Sequence, residues 1–180
     1  RKDIINFAGG AFNVWLGEAR HIGCNQIDNA QFEHMQQTDY VNGACFLIRH
    51  DVIDRIGLLS EDYFLYWEEV DFCLRASKYG YISAYVPSAK IWHKTGSSIA
   101  KINYRSHYYM TRGRFILMFK NASMYQIFIF LTYFFTLKAW ISIFFYLKSG
   151  SFDSIKCFIK GIVDGLNFSS HSKLTHRHNK

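Results

Sequence analysis

Three carboxylates, Glu68, Glu69 and Asp71, lie close together in the sequence, and His93 follows the only proline of the chain. A carboxylate beside a sugar hydroxyl can take its proton while the oxygen attacks an activated anomeric carbon, and a neutral imidazole can bind a divalent metal. Adjacent residues of a helix point about 100° apart, so Glu68 and Glu69 cannot face each other across one bond as a glycosidase pair does. We therefore expect one acid to act as a base and the other two to position the substrate.

A structural interpretation of the same residues stays open. From Glu68 the pattern predicts a helix that ends at Gly80, with an ion pair between Asp71 and Arg75. All three acids then fall in the first turn, where the helix dipole favours negative side chains, so they could simply cap a solvated helix end. A lone histidine such as His93 is likewise more often a hydrogen-bonded structural residue than a metal ligand.

The elements that would position these residues are short. Residues 1–38 are rich in glycine, asparagine and glutamine and are expected to be mainly loops. The apolar run from Tyr40 to Ile48 predicts a buried strand that another group approaches closely at Gly43. A short helix is expected from Asp51 to Ile56, and a strand from Tyr81 to Val86.

The second part of the chain is predicted to be helical, with helices at Tyr104 to Lys120 and Phe152 to Leu166. Between them, Ile127 to Leu147 is an apolar and aromatic run, long enough to cross a hydrocarbon core of roughly 30 Å. Lys138 near its middle would cost about 2.5 to 3.5 kcal/mol at the bilayer centre. We therefore expect this helix to lie in the membrane interface with Lys138 snorkelling, the alternatives being a transmembrane helix around 127–147 or a buried hairpin.

The charge is divided unevenly along the chain. Residues 1–100 hold 9 Lys/Arg and 12 Asp/Glu, whereas residues 101–180 hold 12 Lys/Arg and only 2 Asp/Glu. A basic, aromatic region attracts polyanions, either an anionic lipid leaflet or nucleic acid. Nucleic-acid binding would explain the charge but neither the acidic turn nor the apolar run, so we expect an anionic membrane surface and no nucleic acid as partner.

Several ordered motifs resemble the C-terminal part of family 2 glycosyltransferases, particularly the rhamnosyltransferase-like members, over roughly residues 38–97. They are Asn42-Gly43-Ala44-Cys45-Phe46-Leu47-Ile48-Arg49, Ile56-Gly57, the stretch from Asp62 to Arg75, Gly80-Tyr81, Val86-Pro87 and His93. The resemblance implies an α/β protein, the C-terminal part of a GT-A fold, followed by amphipathic, membrane-associated helices. Residues 1–100 would be the acceptor-side part of the catalytic domain, and residues 101–180 the basic, aromatic helical region.

The resemblance also implies a role for individual residues. Glu69 stands where the family has an aspartate general base, so its side chain is one methylene longer. His93 falls on the histidine that can complete the metal site. The remaining positions would bind substrate: Glu68 and Asp71 by orienting acceptor hydroxyls, Trp67 by stacking on a sugar ring, and Gly43 and Ala44 by lining the pocket from a strand.

Two features of the family are not found in the sequence: the nucleotide-binding half and its Asp-x-Asp motif, which the divalent Mg or Mn cofactor would need. We therefore expect this polypeptide alone neither to bind nucleotide sugar well nor to turn over. The implied function is inverting transfer of a sugar from a nucleotide-sugar donor to a saccharide acceptor, expected to be lipid-linked, at the cytoplasmic face of a membrane. A non-catalytic membrane-binding protein is the alternative of a different class.

Overall fold

A computed structural model describes residues 3–93 and 103–175, with side chains in 3–93 and 104–168. The chain forms two compact units. The mixed unit comprises residues 3–13, 18–61 and 68–93, and the helical unit comprises residues 14–17, 62–67 and 103–175. The assignment of residues 1–100 to the acceptor side of a catalytic domain stays a prediction.

The strands of the mixed unit form two small antiparallel sheets. The first pairs β1 (Gly10–Asn13) with β2 (Glu18–His21), and the second pairs β3 (Gln36–Thr38) with β4 (Ser83–Tyr85). The mixed α/β class expected from the sequence is thus confirmed, and β4 lies within the predicted strand. Residues 1–38 nevertheless contain more than loops, because β1 to β3 fall within them.

Thr38 and Tyr40 join the end of β3 to the first sheet. The buried Thr38 hydroxyl accepts a hydrogen bond from the Gly10 N–H at 2.5 Å and donates one to the Gly10 carbonyl at 2.7 Å. The Tyr40 ring lies so close to the Gly10 Cα that a Cβ at position 10 would clash with it. Only glycine therefore lets the strand pass over this ring.

Two helices complete the mixed unit: α1 (His50–Ile56) and α2 (Glu68–Ser77). Val52 of α1 packs against Phe72 and Ala76 of α2 in a buried apolar cluster. The helix predicted after Asp51 is confirmed, as is its end at Gly57, whose φ of 77° is left-handed.

The helical unit contains α3 (Asn103–Asn121), α4 (Met124–Tyr133), a π-helical segment (Phe134–Lys138), α5 (Ala139–Lys148) and α6 (Phe152–Thr175). Ser123 and Gln126 form a capping box at the start of α4. From there the chain continues as one helix over Met124–Lys148. The three helices expected in this part of the sequence are all present.

Aromatic packing holds α3 in the middle of the helical unit. Four consecutive residues of α3, Phe115 to Met118, are fully buried, so this helix is covered on all sides. The Phe115 ring packs edge-on against Phe130 at 5.3 Å and against Phe134 at 4.8 Å between ring centroids. Such contacts are worth about 0.5–1.5 kcal/mol each beyond area burial.

Two glycines let α6 approach α3 closely. A Cβ at Gly161 would lie 2.7 Å from the Tyr108 carbonyl oxygen, and one at Gly165 would lie 2.7 Å from the Phe115 Cβ. Small residues four positions apart allow close helix packing of this kind. The pair therefore fixes the spacing between the two helices.

The helix Met124–Lys148 is long and apolar enough to cross a membrane, and its most apolar 18-residue window is only 11% buried. Large apolar side chains, including Phe128, Trp140 and Phe144, are exposed along it. A core helix of a soluble protein would be mostly buried. This helix therefore presents an apolar surface of the kind that marks an interaction with lipid or protein.

Candidate active site

The chain enters α2 through a strained turn. Tyr66 and Trp67 have φ angles of 66° and 74°, in the left-handed region. Side chains other than glycine pay about 1–2 kcal/mol each for this conformation. Such strain concentrates at functional sites, and here it immediately precedes the two glutamates that open α2.

Glu69 is the half-buried acid of the first turn. The backbone N–H of Gly43 donates to its carboxylate, and the Cβ of any larger residue at position 43 would lie 3.6 Å from Oε1. Oε2 is buried and has no hydrogen-bond partner among the described residues. Because buried polar atoms are rarely left unpaired, this oxygen marks Glu69 as a candidate functional residue.

The electrostatic surroundings of Glu69 favour that chemistry. Burial, chiefly, and the charge of Glu68 raise the pKa of the Glu69 carboxyl, while its own N–H and that of Gly43 oppose the shift. A raised pKa makes the ionised carboxylate a stronger base than a solvated glutamate.

Glu68 lies beside Glu69 in the first turn and is also half-buried, with Oε2 covered and without a described hydrogen-bond partner. Its negative charge contributes to the raised pKa of Glu69. Successive helical residues diverge by about 100°, so the two carboxylates point in different directions. The substrate-orienting role of Glu68 stays a prediction.

Asp71 is fully buried and forms the predicted ion pair. Its Oδ2 accepts a hydrogen bond from Arg75 Nε at 2.8 Å, and the guanidinium also donates to the carbonyls of Ile56 and Leu58 at 2.6 and 2.9 Å. The pair ties α2 to the chain that leaves α1. Asp71 thus has a structural task here, and its predicted contact with acceptor hydroxyls stays untested.

Trp67 belongs to the helical unit and is 5% exposed. Its Nε1–H donates to the Met110 carbonyl at 2.8 Å, and the Arg114 guanidinium lies 5.6 Å from its ring centroid. A Cβ at Gly113 would come within 2.6 Å of the ring. The ring is therefore packed against α3, and its predicted stacking on a sugar ring stays a prediction.

Gly43 and Ala44 are exposed and lie in a turn, so the expectation of a buried strand from Tyr40 to Ile48 is wrong. The Asn42 side chain accepts a hydrogen bond from the Ala44 N–H at 2.8 Å, which favours a turn over an extended strand. Tyr40 forms only an isolated bridge with Gly10. The close approach expected at Gly43 is present all the same, and the approaching group is the Glu69 carboxylate.

Tyr40 is a residue of this site that the sequence reasoning missed. The side chain is 2% exposed, and burial first, then the charge of Glu69, raises its pKa. The sequence signal that could have identified Tyr40 is its position just after a short polar strand and just before the turn at Gly43. Because Tyr40 stays protonated, its phenol keeps its hydrogen-bond donor near the acid cluster.

The residues that the structure describes do not by themselves complete a site for the divalent metal that the resemblance implied. His93 is exposed, and in residues 3–93 and 103–175 no group of three or more His, Cys, Asp or Glu side chains could hold a metal ion. A divalent metal needs several ligands at once, and His93 alone cannot provide them. Its metal-binding role stays a prediction.

Comparison with known proteins gives a family match and several partial relatives. The family described as "Glycosyltransferase like family 2" matches residues 8–107, more than half of the chain. An N-acetylglucosaminyl-diphospho-decaprenol L-rhamnosyltransferase of Mycobacterium tuberculosis is 37% identical over 62 residues, which are 34% of this chain and 20% of that protein. A low-salt glycan biosynthesis hexosyltransferase of Haloferax volcanii is 40% identical over 59 residues, 33% of this chain and 19% of the relative.

A dTDP-rhamnosyl transferase of Shigella flexneri is 29% identical over 83 residues, 42% of this chain and 28% of that protein. The matched part of the chain thus spans between 19% and 28% of the length of these curated relatives. No solved structure gives a significant match.

The family match includes the glycine turn, the strained turn and the acid cluster of α2. It is also consistent with the GT-A fold that the motifs suggested. This chain belongs to the family of glycosyltransferases described as family 2.

Proposed function

We propose that this chain is the acceptor-side region of an inverting glycosyltransferase, in which Glu69 is the general base. The donor would be a nucleotide sugar, and the sugar would be a rhamnose or another hexose, as in the relatives named above. The acceptor would be a lipid-linked saccharide, because one relative is named for a decaprenol-diphosphate substrate. The observation that carries the proposal is the desolvated Glu69 carboxylate beside the Gly43 turn.

The chemistry follows from this arrangement. Glu69 takes the proton of an acceptor hydroxyl while that oxygen forms a bond to the anomeric carbon of the donor. The bond from this carbon to the nucleotide diphosphate breaks, the electron pair leaves with the diphosphate, and the configuration inverts.

Gly43 gives the acceptor room to reach Glu69. Oε1 lies beneath position 43, which is exposed, whereas Oε2 is covered. With no side chain at residue 43, a hydroxyl can approach Oε1 from the open side. The Gly43 N–H donates a hydrogen bond that holds the carboxylate in place and opposes the rise of its pKa.

The helix Met124–Lys148 would dock the protein to the membrane that holds the acceptor. Its exposed aromatic and aliphatic residues and the surplus of Lys and Arg in residues 101–180 suit the surface of an anionic leaflet. We place the protein at the cytoplasmic face as a peripheral protein, with a membrane-spanning helix as the alternative. Alkaline carbonate extraction separates them, since it releases a peripheral protein and leaves a spanning one in the pellet.

The decisive variant for the base is Glu69→Gln in the full gene product that carries this chain. Glutamine keeps the shape and removes the basicity, so we expect transfer to fall by about 10²- to 10⁴-fold. Glu61→Gln is the matched control, because Glu61 is an exposed glutamate of the same unit and should leave the rate unchanged. Circular dichroism checks that both variants fold.

A non-catalytic membrane-binding protein is the second candidate, favoured by the exposed apolar surface of Met124–Lys148. For such a protein Glu69 would be only a helix cap. A general base contributes at least about 10²-fold to the rate. If the Glu69→Gln variant transfers sugar at more than about a tenth of the normal rate, the catalytic proposal is rejected in favour of this one.

A further inference from the structure

The chain that passes α2 at Gly43 meets this helix with two backbone N–H groups. The N–H of Gly43 donates to the Glu69 carboxylate, and the N–H of Val41 donates to the sulfur of the buried Cys73. Two residues of chain span at most about 7 Å, and four residues of helix rise about 6 Å. N–H groups two residues apart therefore match side chains four residues apart on one face of α2.

Gly43 is the weakly held member of this pair. It is exposed, and glycine has more backbone freedom than any other residue. Among the described residues, the atoms within 4 Å of a Cβ placed at Gly43 are Oε1 and Cδ of Glu69, at 3.6 and 3.8 Å. Packing from other side chains thus does not orient the Gly43 N–H, and the turn that contains it must do so.

Asn42 forms this turn with its side chain and its backbone. Its Oδ1 accepts a hydrogen bond from the Ala44 N–H at 2.8 Å, and its carbonyl oxygen accepts one from the Cys45 N–H at 3.3 Å. An asparagine side chain that binds the backbone two residues on mimics a backbone turn. The side-chain bond is the shorter of the two, so it contributes most of the restraint on the turn.

The geometry of one peptide unit transmits this restraint to Glu69. The Asn42 carbonyl and the Gly43 N–H belong to the same peptide bond, which is planar and trans, so they point in opposite directions. When the carbonyl is held towards Cys45, the N–H on the other side is held towards Glu69. The turn therefore fixes the direction of the donor that meets the carboxylate.

We propose that Asn42 is a positioning residue for sugar transfer: its side chain holds the turn that aims the Gly43 N–H at the Glu69 carboxylate. The carboxylate then stays where Oε1 faces the open side of Gly43. The inference rests on the proposed function in one respect, because the rate depends on this position if Glu69 is the base. Asn42 needs no contact with the substrate for this role.

The first measurement follows the ionisation of Glu69 without substrate. Carbon-13 NMR of the full gene product with labelled glutamate side chains gives the titration, and the Glu69→Gln variant assigns the signal. Asn42→Ala should raise the pKa of Glu69, because it loosens a hydrogen bond that opposes the rise. The other titratable groups near this carboxyl, Glu68, Tyr40 and Cys73, stay unchanged in the variant.

Two further variants control this measurement. Asn42→Ser keeps an oxygen that can form the same turn more weakly, so its titration should lie between those of the parent and Asn42→Ala. Asp28→Ala is the matched control, since Asp28 Oδ1 accepts a hydrogen bond from the Ala30 N–H at 3.1 Å in an exposed turn of the same unit. It should leave the titration in place. Circular dichroism identifies the folded variants, and Asn42→Ser tests the proposal if Asn42→Ala does not fold.

The second measurement is the pH profile of kcat/KM for sugar transfer. On the acidic limb, kcat/KM of Asn42→Ala should fall by about tenfold, the effect of losing one hydrogen bond to a charged group. The limb itself should move to higher pH. A merely structural role of Asn42 would lower kcat/KM by the same factor at every pH and leave the limb in place.

The two measurements separate this inference from the proposed function. An unchanged Glu69 titration in both Asn42 variants would overturn the inference, as would an equal shift in Asp28→Ala. A shifted titration together with a shifted limb supports both. A shifted titration with an unmoved limb supports the positioning of the carboxylate by Asn42 and contradicts Glu69 as the base.

Discussion

Each unit of this chain contains its own departure from ordinary burial. In the mixed unit, carboxylate oxygens of Glu68 and Glu69 are buried without a described hydrogen-bond partner. In the helical unit, large apolar side chains along Met124–Lys148 are exposed. Buried polar groups and exposed apolar surfaces are the informative exceptions in a folded protein, because each costs free energy unless a ligand or partner compensates.

This difference indicates which kind of partner each unit binds. A desolvated acid is suited to small polar substrates that bring their own hydrogen bonds, such as a sugar hydroxyl. An exposed apolar helix with cations is suited to a lipid surface. Variants that disturb one unit and spare the other test this comparison.

Replacing Arg75 with Met should destabilise the mixed unit most. The variant leaves the fully buried Asp71 without its guanidinium and removes the donors to the Ile56 and Leu58 carbonyls. Breaking a buried ion pair in this way costs about 3–5 kcal/mol. Urea unfolding measures the loss. Arg20→Met, at an exposed position of β2, should stay within about 0.5 kcal/mol of the parent.

Replacing Gly161 with Ala should destabilise the helical unit by a smaller amount. The new Cβ would meet the Tyr108 carbonyl, a backbone atom that cannot move aside, and overpacking of this kind costs about 1–3 kcal/mol. Thermal unfolding in detergent measures the effect. Gly43→Ala is the matched control, because its Cβ would meet only ordinary contacts in the mixed unit, and an equal loss in both variants would contradict the account.

The pH dependence of stability gives a finer comparison. Since the pKa of Glu69 is raised on folding, the group contributes stability below its unfolded pKa, and this contribution is lost as the pH rises through the folded pKa. The Glu69→Gln variant lacks this loss. Its stability relative to the parent should therefore increase between acid and neutral pH, whereas Glu61→Gln should show no such trend. Urea unfolding at several pH values measures both variants, and parallel curves would show that Glu69 is solvated.

The sequence predicted the helices better than the strands, for physical reasons. The helices α2 and Met124–Lys148 have local signals: α2 has acids in its first turn and an ion pair between neighbours on one face, and Met124–Lys148 is a long apolar run. The strands β1 to β3 have only three or four residues each, and non-local pairing rather than apolar alternation stabilises them.

The candidate site was predictable in composition but not in geometry. The spacing of Glu68, Glu69 and Asp71 identified the acids, yet only the fold shows that the Gly43 N–H donates to Glu69 and that Arg75 binds Asp71. The turn at Gly43 was mistaken for a strand because its apolar neighbours suggested burial. The π-helical segment Phe134–Lys138 likewise has no local signal in the sequence.

The most direct test of the central claim, that Glu69 is a desolvated base, is the pH profile of kcat/KM for sugar transfer by the full gene product and its Glu69→Gln variant. The account predicts an acidic limb in the parent that lies above the ordinary range of a glutamate, because the pKa of Glu69 is raised. The variant should retain only a slow rate without this limb. An unchanged rate and an unchanged acidic limb in the variant would contradict it.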